Sequence, residues 1–147
     1  DDRANYLGDV MNTGSVRELR SWFTEKFREC NANMHTKKNE HENSLVQRAK
    51  EYINENYRKD LSLDELSREL DISPYYFSKL FKEETGSNFV EYLTGLRMDQ
   101  AKVMLKDENL SMKEICAAIG YSDPNYFSRI FKKNVGLTPT EYREREK

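Results

Sequence analysis

Proline, glycine, cysteine and histidine are all scarce in this chain, and each shortage narrows what it can be. Among 147 residues there are only three prolines, which, with 34% charged and 12% aromatic residues, describes a folded and largely helical protein rather than a disordered one. No apolar run approaches the roughly 20 residues needed to cross a bilayer, and no charged-then-apolar leader opens the sequence. The expectation is a cytoplasmic chain without membrane contact, and its opening at Asp1 rather than at methionine reads as a fragment or processed product. Two cysteines, Cys30 and Cys116, lie far apart on predicted helices among apolar neighbours, which predicts thiol packing and not a disulfide or redox pair. The two histidines, His35 and His41, fall in a polar stretch with no matching cysteine, so that with Glu40 they offer at most adventitious metal binding. The six glycines are scattered and form no phosphate-cradling loop; Gly86 and Gly136 each follow a predicted helix, as C-caps do. With no nucleophile, base or metal cluster in view, neither enzymatic activity nor a cofactor is expected.

An excess of positive charge is also missing. The whole chain carries a formal −2, and residues 44–147 hold 17 Lys/Arg against 18 Asp/Glu. Nucleic-acid binding ordinarily leaves a basic footprint, so any such role has to rest on local charge. Residues 124–136 supply it, with Arg129, Lys132, Lys133 and no acid.

What the chain does have is an internal repeat of about fifty residues. Ser62-Leu63-Asp64-Glu65-Leu66 matches Ser111-Met112-Lys113-Glu114-Ile115 at an offset of 49, and Pro74-Tyr75-Tyr76-Phe77-Ser78-Lys79-Leu80-Phe81-Lys82 matches Pro124-Asn125-Tyr126-Phe127-Ser128-Arg129-Ile130-Phe131-Lys132 at an offset of 50. Gly86 then pairs with Gly136, and Glu91-Tyr92 with Glu141-Tyr142. One unit therefore occurs twice, with one extra residue in the second internal turn.

Each copy opens on a capping-box signature, Ser62 with Glu65 and Ser111 with Glu114, able to satisfy two free amide donors at a helix start. Leu63, Leu66 and Leu70, and Met112, Ile115 and Ile119, then mark one buried face of a short helix. A turn follows, in which Gly120 takes positive φ freely and Asp71 tolerates it at modest cost. Ser73-Pro74 and Asp123-Pro124 each combine a capping residue with proline at the first helical position. On the second helix Phe77, Leu80 and Phe81, or Phe127, Ile130 and Phe131, form the apolar stripe. The opposite face shows Tyr75, Ser78, Lys79 and Lys82 in one copy and Asn125, Ser128, Arg129, Lys132 and Lys133 in the other. Two short helices around a tight turn predict a helix-turn-helix, whose second helix can enter a major groove, and these side chains suit base edges and phosphates. Between the copies, Asn88 and Glu91 read as another cap, followed by a helix marked by Phe89, Leu93, Leu96, Val103 and Met104 to about Lys106. Upstream, Leu45, Ala49, Tyr52 and Ile53 predict a helix closing the first core, and Thr138-Pro139-Thr140-Glu141 starts a final short helix.

These residues resemble the AraC/XylS family over about 44–145, most clearly from Ile115-Cys116-Ala117-Ala118-Ile119-Gly120-Tyr121 through Tyr126-Phe127-Ser128-Arg129-Ile130-Phe131 to Thr138-Pro139-Thr140-Glu141-Tyr142-Arg143. The resemblance implies an all-α fold of seven helices with tandem helix-turn-helix subdomains, binding of double-stranded promoter DNA, contact with RNA polymerase and, usually, activation of transcription. Matched by position, it places Tyr75, Ser78 and Lys79, and Asn125, Ser128 and Arg129, where bases are read. Asp71 stands where the family often has glycine. The expected domains are a helical connector and polar linker over 1–43, a first unit over 44–87, a linker helix over 88–106 and a second unit over 107–147. Val16, Leu19, Phe23, Phe27 and Cys30 recur every three or four residues and predict an amphipathic helix, after which Asn31–Asn43 reads as the linker. That helix either packs on its own domain or serves as a self-associating, homodimer-forming or signal-carrying connector. The layout is similar to AraC-type two-component response regulators, with a membrane-anchored sensory regulator as the other arrangement. The rival from another class is a helical protein-interaction module, which would bind its partner equally well at high salt, whereas duplex binding falls steeply with salt.

Overall fold

The computed structural model describes residues 16–147, and among them it contains seven α-helices and no strand. They are α1 (Val16–Asn56), α2 (Leu63–Glu69), α3 (Pro74–Thr85), α4 (Phe89–Leu105), α5 (Met112–Ala118), α6 (Pro124–Val135) and α7 (Pro139–Arg145). The chain divides into two compact units, with the boundary between Glu42 and Asn43.

The α1 helix corrects one sequence expectation. Asn31–Asn43, expected as a polar linker following the helix, is itself helical and continuous with the residues on both sides. Polarity by itself does not end a helix. No glycine or proline lies between Val16 and Ser73, and Ala32, Met34, Lys37, Lys38, Glu40 and Glu42 are good helix formers. Lys38 and Glu42 add an i,i+4 ion pair at 3.9 Å. Along the first part of α1 the predicted apolar stripe is helical and largely exposed among the described residues: Val16, Phe23 and Phe27 are 75%, 56% and 69% exposed while Leu19 is half-buried, and Met34, outside the predicted stripe, is 69% exposed. Cys30 is exposed as well, so thiol packing holds for Cys116 and not for Cys30.

Within residues 43–147 there are two cores. The first gathers Leu45, Ala49, Ile53 and Tyr57 of α1 and its end with Leu66, Phe77, Phe81, Phe89 and Leu93. The second gathers Met98, Ala101 and Leu105 with Ile115, Cys116, Ile119, Phe127 and Phe131. The α4 helix belongs to both, giving its first turns to one core and its last turns to the other. Its buried row runs Leu93, Arg97, Ala101, Leu105 at a spacing of four, while Val103, expected on the apolar side, is exposed. The repeat extends to aromatic geometry. Phe81 meets Tyr92 edge-on at 5.2 Å and Phe131 meets Tyr142 edge-on at 5.6 Å, each beside a second phenylalanine, Phe77 or Phe127. Burying each such phenylalanine contributes about 1.5–3 kcal/mol.

Helix starts follow the sequence closely. Ser62, Ser73, Asn88, Ser111, Asp123 and Thr138 all cap with their side chains. Ser111 and Asn88 form complete capping boxes with Glu114 and Glu91. Ser62 forms only half of one, because it accepts from the Glu65 amide while the Glu65 carboxylate turns away to accept the Tyr52 hydroxyl at 3.0 Å. That hydrogen bond, more than burial or the charges of Glu65 and Glu69, holds the Tyr52 phenol above its ordinary pKa.

The Cys116 sulfhydryl is buried and donates to the Tyr121 carbonyl at 3.3 Å, and burial, then the charge of Asp123, pushes its pKa up. Both effects suppress the reactive thiolate. The native protein is expected to react with one equivalent of a thiol-specific chromogenic reagent, at Cys30, and with a second only in denaturant. Rapid modification of both thiols in buffer would contradict the packing assigned to Cys116.

Candidate nucleic-acid interface

The two helix-turn-helix units differ in one residue of turn length and agree in turn geometry. After α2 the Ile72 amide donates to the Ser67 carbonyl at 3.1 Å, and after α5 the Tyr121 amide donates to the Cys116 carbonyl at 3.0 Å. Each is the long closing bond of a Schellman ending, which needs a left-handed residue just before it. Asp71 supplies that conformation at φ +56° in one copy and Gly120 at φ +100° in the other. Proline then begins α3 and α6 where its absent N–H is harmless, and Gly86 and Gly136 end them in the left-handed region.

On these helices the phenylalanine side is buried and the predicted face is open. Tyr75 is 81% exposed; Ser78, Lys79, Lys82, Asn125, Arg129, Lys132 and Lys133 are exposed, and Ser128 is half-buried. Among the described residues none of these nine side chains is engaged in a hydrogen bond or ion pair within the chain. They form two faces, one on each helix, unequal in charge. The α3 helix balances Lys79 and Lys82 against Glu83 and Glu84, whereas α6 carries Arg129, Lys132 and Lys133 without an acid. Such faces can donate to base edges and phosphate oxygens, with the stronger electrostatic pull on α6. His35 and His41 both lie on the exposed surface of α1, and among the described residues no three His, Cys, Asp or Glu groups come together as a metal would require.

Two arginines with no signature in the motifs bind backbone carbonyls at the ends of helices. Arg97, in the middle of α4, is only 9% exposed. Its Nε donates to the Tyr57 carbonyl at 3.0 Å and its Nη2 to the Lys59 carbonyl at 2.9 Å, both just past the end of α1. The same guanidinium lies 4.9 Å from the ring centroid of Tyr121 in the second turn. Arg143 of α7 treats the end of α4 similarly, donating to the carbonyls of Leu105 at 2.9 Å, Asp107 at 3.2 Å and Leu110 at 2.7 Å. A signal for Arg97 was available: it stands on the apolar row of Leu93, Ala101 and Leu105, and a charge there must find acceptors. Arg143 leaves no comparable trace in the sequence.

Comparison with known proteins places this geometry. The helix-turn-helix domain family matches residues 66–145. An uncharacterised HTH-type transcriptional regulator, YijO of Escherichia coli (strain K12), is 39% identical over 100 residues, covering 68% of this chain and 35% of that protein. The lactose operon transcription activator of Staphylococcus xylosus is 34% identical over 101 residues, covering 69% of this chain and 36% of that protein. Among solved structures, the C-terminal domain of AraT, a response regulator from Geobacillus stearothermophilus, superposes with a TM-score of 0.66 at 38% identity, covering 68% of this chain and 84% of that one. The chain thus spans about a third of the length of these curated relatives.

The two left-handed turn residues differ in how they are surrounded. A Cβ on Gly120 would stand 2.9 Å from the Tyr57 carbonyl oxygen and 3.0 Å from Arg97 Nη2. Gly120→Ala is therefore expected to lower unfolding free energy by on the order of 1–3 kcal/mol from backbone strain alone, with the close contact adding to it. Asp71→Gly, where a side chain is already accommodated, should be nearly neutral. Urea denaturation of both variants tests this; equal effects would mean that the crowding at Gly120 does not matter.

Proposed function

This chain belongs to the AraC/XylS-type family of helix-turn-helix proteins, and on that premise we propose that it is the sequence-specific, double-stranded-DNA-binding module of a cytoplasmic transcription regulator, acting as an activator without catalysis. The observation that carries this reading is the duplication of an open hydrogen-bonding face on two helices joined through one continuous helix. The 17 residues of α4 span about 25 Å. One turn of B-DNA is about 34 Å, so α3 and α6 suit neighbouring major-groove segments on one side of a duplex.

In this reading Tyr75, Ser78 and Lys79 on α3, and Asn125, Ser128 and Arg129 on α6, face bases, while Lys82, Lys132 and Lys133 engage phosphates. RNA polymerase is the partner on promoter DNA. The similarity to a response-regulator C-terminal domain supports an origin in a two-component regulator whose signal reaches this module through residues 1–43. The units 44–87 and 107–147 each read one half-site, with 88–106 as spacer. Along α1, Phe23, Phe27, Cys30 and Met34 alternate spacings of four and three, the pattern of a coiled-coil seam, and their exposure supports homodimer formation through this connector.

Selection of duplexes from a random pool, followed by footprinting, tests the reading: two protected patches about one helical turn apart on one face are expected. Arg129→Ala should cost roughly 1–3 kcal/mol and relax base preference in one half-site, as loss of a bidentate guanine contact would. Lys132→Ala should weaken all sequences alike and flatten the salt dependence by about one unit. A single patch that survives removal of residues 107–147, or binding indifferent to salt, would instead favour a protein-interaction module.

The connector is tested separately. Phe23→Glu should shift sedimentation from dimer to monomer while leaving affinity for an isolated half-site nearly unchanged. A wild-type chain that stays monomeric at every concentration, with a variant of lower melting temperature, would assign the stripe to the fold instead.

A further inference from the structure

We propose that Arg97 is the positioning residue that sets the separation and relative angle of α3 and α6, so that the length of DNA between the two half-sites becomes part of what the protein selects. The inference rests on the DNA-binding reading above and deepens it. Neither recognition helix contains Arg97, which lies in the middle of α4. Its effect comes from what it holds.

One side of the guanidinium is committed to the first unit. The carbonyls of Tyr57 and Lys59 follow the last turn of α1, where helix carbonyls lack intrahelical donors and carry the negative end of the helix dipole. Tyr57 is buried in the first core with Ile53, Leu66 and Phe77, and Lys59 is tied back to α1 by its amide, which donates to the Asn56 carbonyl at 3.0 Å. The other side is committed to the second unit. The Tyr121 ring that receives the cation lies 5.5 Å from the Tyr126 ring and 6.2 Å from the Phe127 ring, both in the first turn of α6. A displacement of α6 therefore has to move the ring that Arg97 covers. Gly120 completes the joint, because its bare Cα allows the second turn to close on both the Tyr57 carbonyl and the guanidinium.

Each unit packs on its own stretch of α4, the first on Phe89 and Leu93 and the second on Met98, Ala101 and Leu105. The guanidinium ties both to its midpoint with directional contacts: two charge-assisted hydrogen bonds in fixed planar geometry and a cation–π contact. Lysine cannot replace it, having one compact ammonium that cannot span two carbonyls and lie flat on a ring together.

The experiment uses the full chain and two readouts. In a Cys30→Ser background, nitroxide labels at Glu84→Cys and Asn134→Cys, exposed near the ends of α3 and α6, report the distance between the recognition helices by pulsed electron paramagnetic resonance. A narrow distribution is expected with Arg97 and a broadened or shifted one with Arg97→Lys. Tyr121→Leu, which removes the ring and keeps both carbonyl bonds, should broaden it partly, and it replaces Arg97→Lys as the test if that variant fails to fold. In parallel, duplexes carrying the two selected half-sites at the preferred spacing, and at spacings one or two base pairs shorter or longer, are titrated with each protein. Arg97→Lys should lose roughly tenfold at the preferred spacing, as loosening of a linked pair of binding units does. It should also bind the altered spacings with much less discrimination, while each isolated half-site is bound as by wild type. Unchanged distance distributions, or an equal loss on half-sites and on every spacing, overturns the proposal and leaves Arg97 a purely stabilising residue. If the wild-type chain binds no duplex, the DNA-binding reading fails on its own, and the distance measurement still decides whether Arg97 sets the helix geometry.

Discussion

The Arg97 guanidinium is buried, so everything around it has to be arranged to receive a charge. Removing a cation from water costs several kcal/mol unless acceptors replace the lost hydration. Here the replacements come from different parts of the chain: two carbonyls past the end of α1, and the face of a tyrosine in the turn before α6. The charge is fully accepted only when both are present. One side chain thus touches both helix-turn-helix units, at the middle of the helix that both cores share. Arg143 applies the same physics at the end of α4, one unit further along.

The duplicated architecture tolerates different local solutions wherever the underlying physical requirement is met. Both recognition helices need a left-handed residue before them, and aspartate serves in the open first turn while the crowded second turn has room only for glycine. Both units start on a serine cap, yet only Ser111 has the reciprocal glutamate, since Glu65 is drawn to the Tyr52 hydroxyl. The extra residue in the second turn has no counterpart interaction in the structure that explains it. What recurs is the edge-on contact of Phe81 with Tyr92 in one unit and of Phe131 with Tyr142 in the other, each beside a second phenylalanine. The solvent faces differ in charge: α6 is basic while α3 is balanced.

Legibility in the sequence followed the range of the interactions involved. Caps, proline starts, glycine ends and apolar spacing act over three to five residues, so six capped helix starts, both core stripes and the open faces of α3 and α6 could be read directly. The polar stretch Asn31–Asn43 was misread because its composition resembles a loop, while its propensities and lack of breakers favour helix. Cys30 was misplaced because periodicity shows that a stripe exists and says nothing about what covers it. Arg97 was readable in principle as a charge on an apolar row, but its partners lie 38 and 40 residues away.

The sequence alone determined that this is an all-α protein built on a repeated helix-turn-helix, which residues start and end its helices, and which side of each recognition helix is left to solvent. These are consequences of backbone capping and of apolar residues that must share a face, and both are written in short spacings. Tertiary structure decided how the two units are joined, that Gly120 is closely approached by the Tyr57 carbonyl and Arg97 while Asp71 stands exposed, and that Arg97 and Arg143 are structural cations rather than surface charges. Those properties depend on which carbonyls, rings and bare Cα atoms meet after the chain has folded, and a long-range meeting of this kind leaves no periodic trace along the sequence.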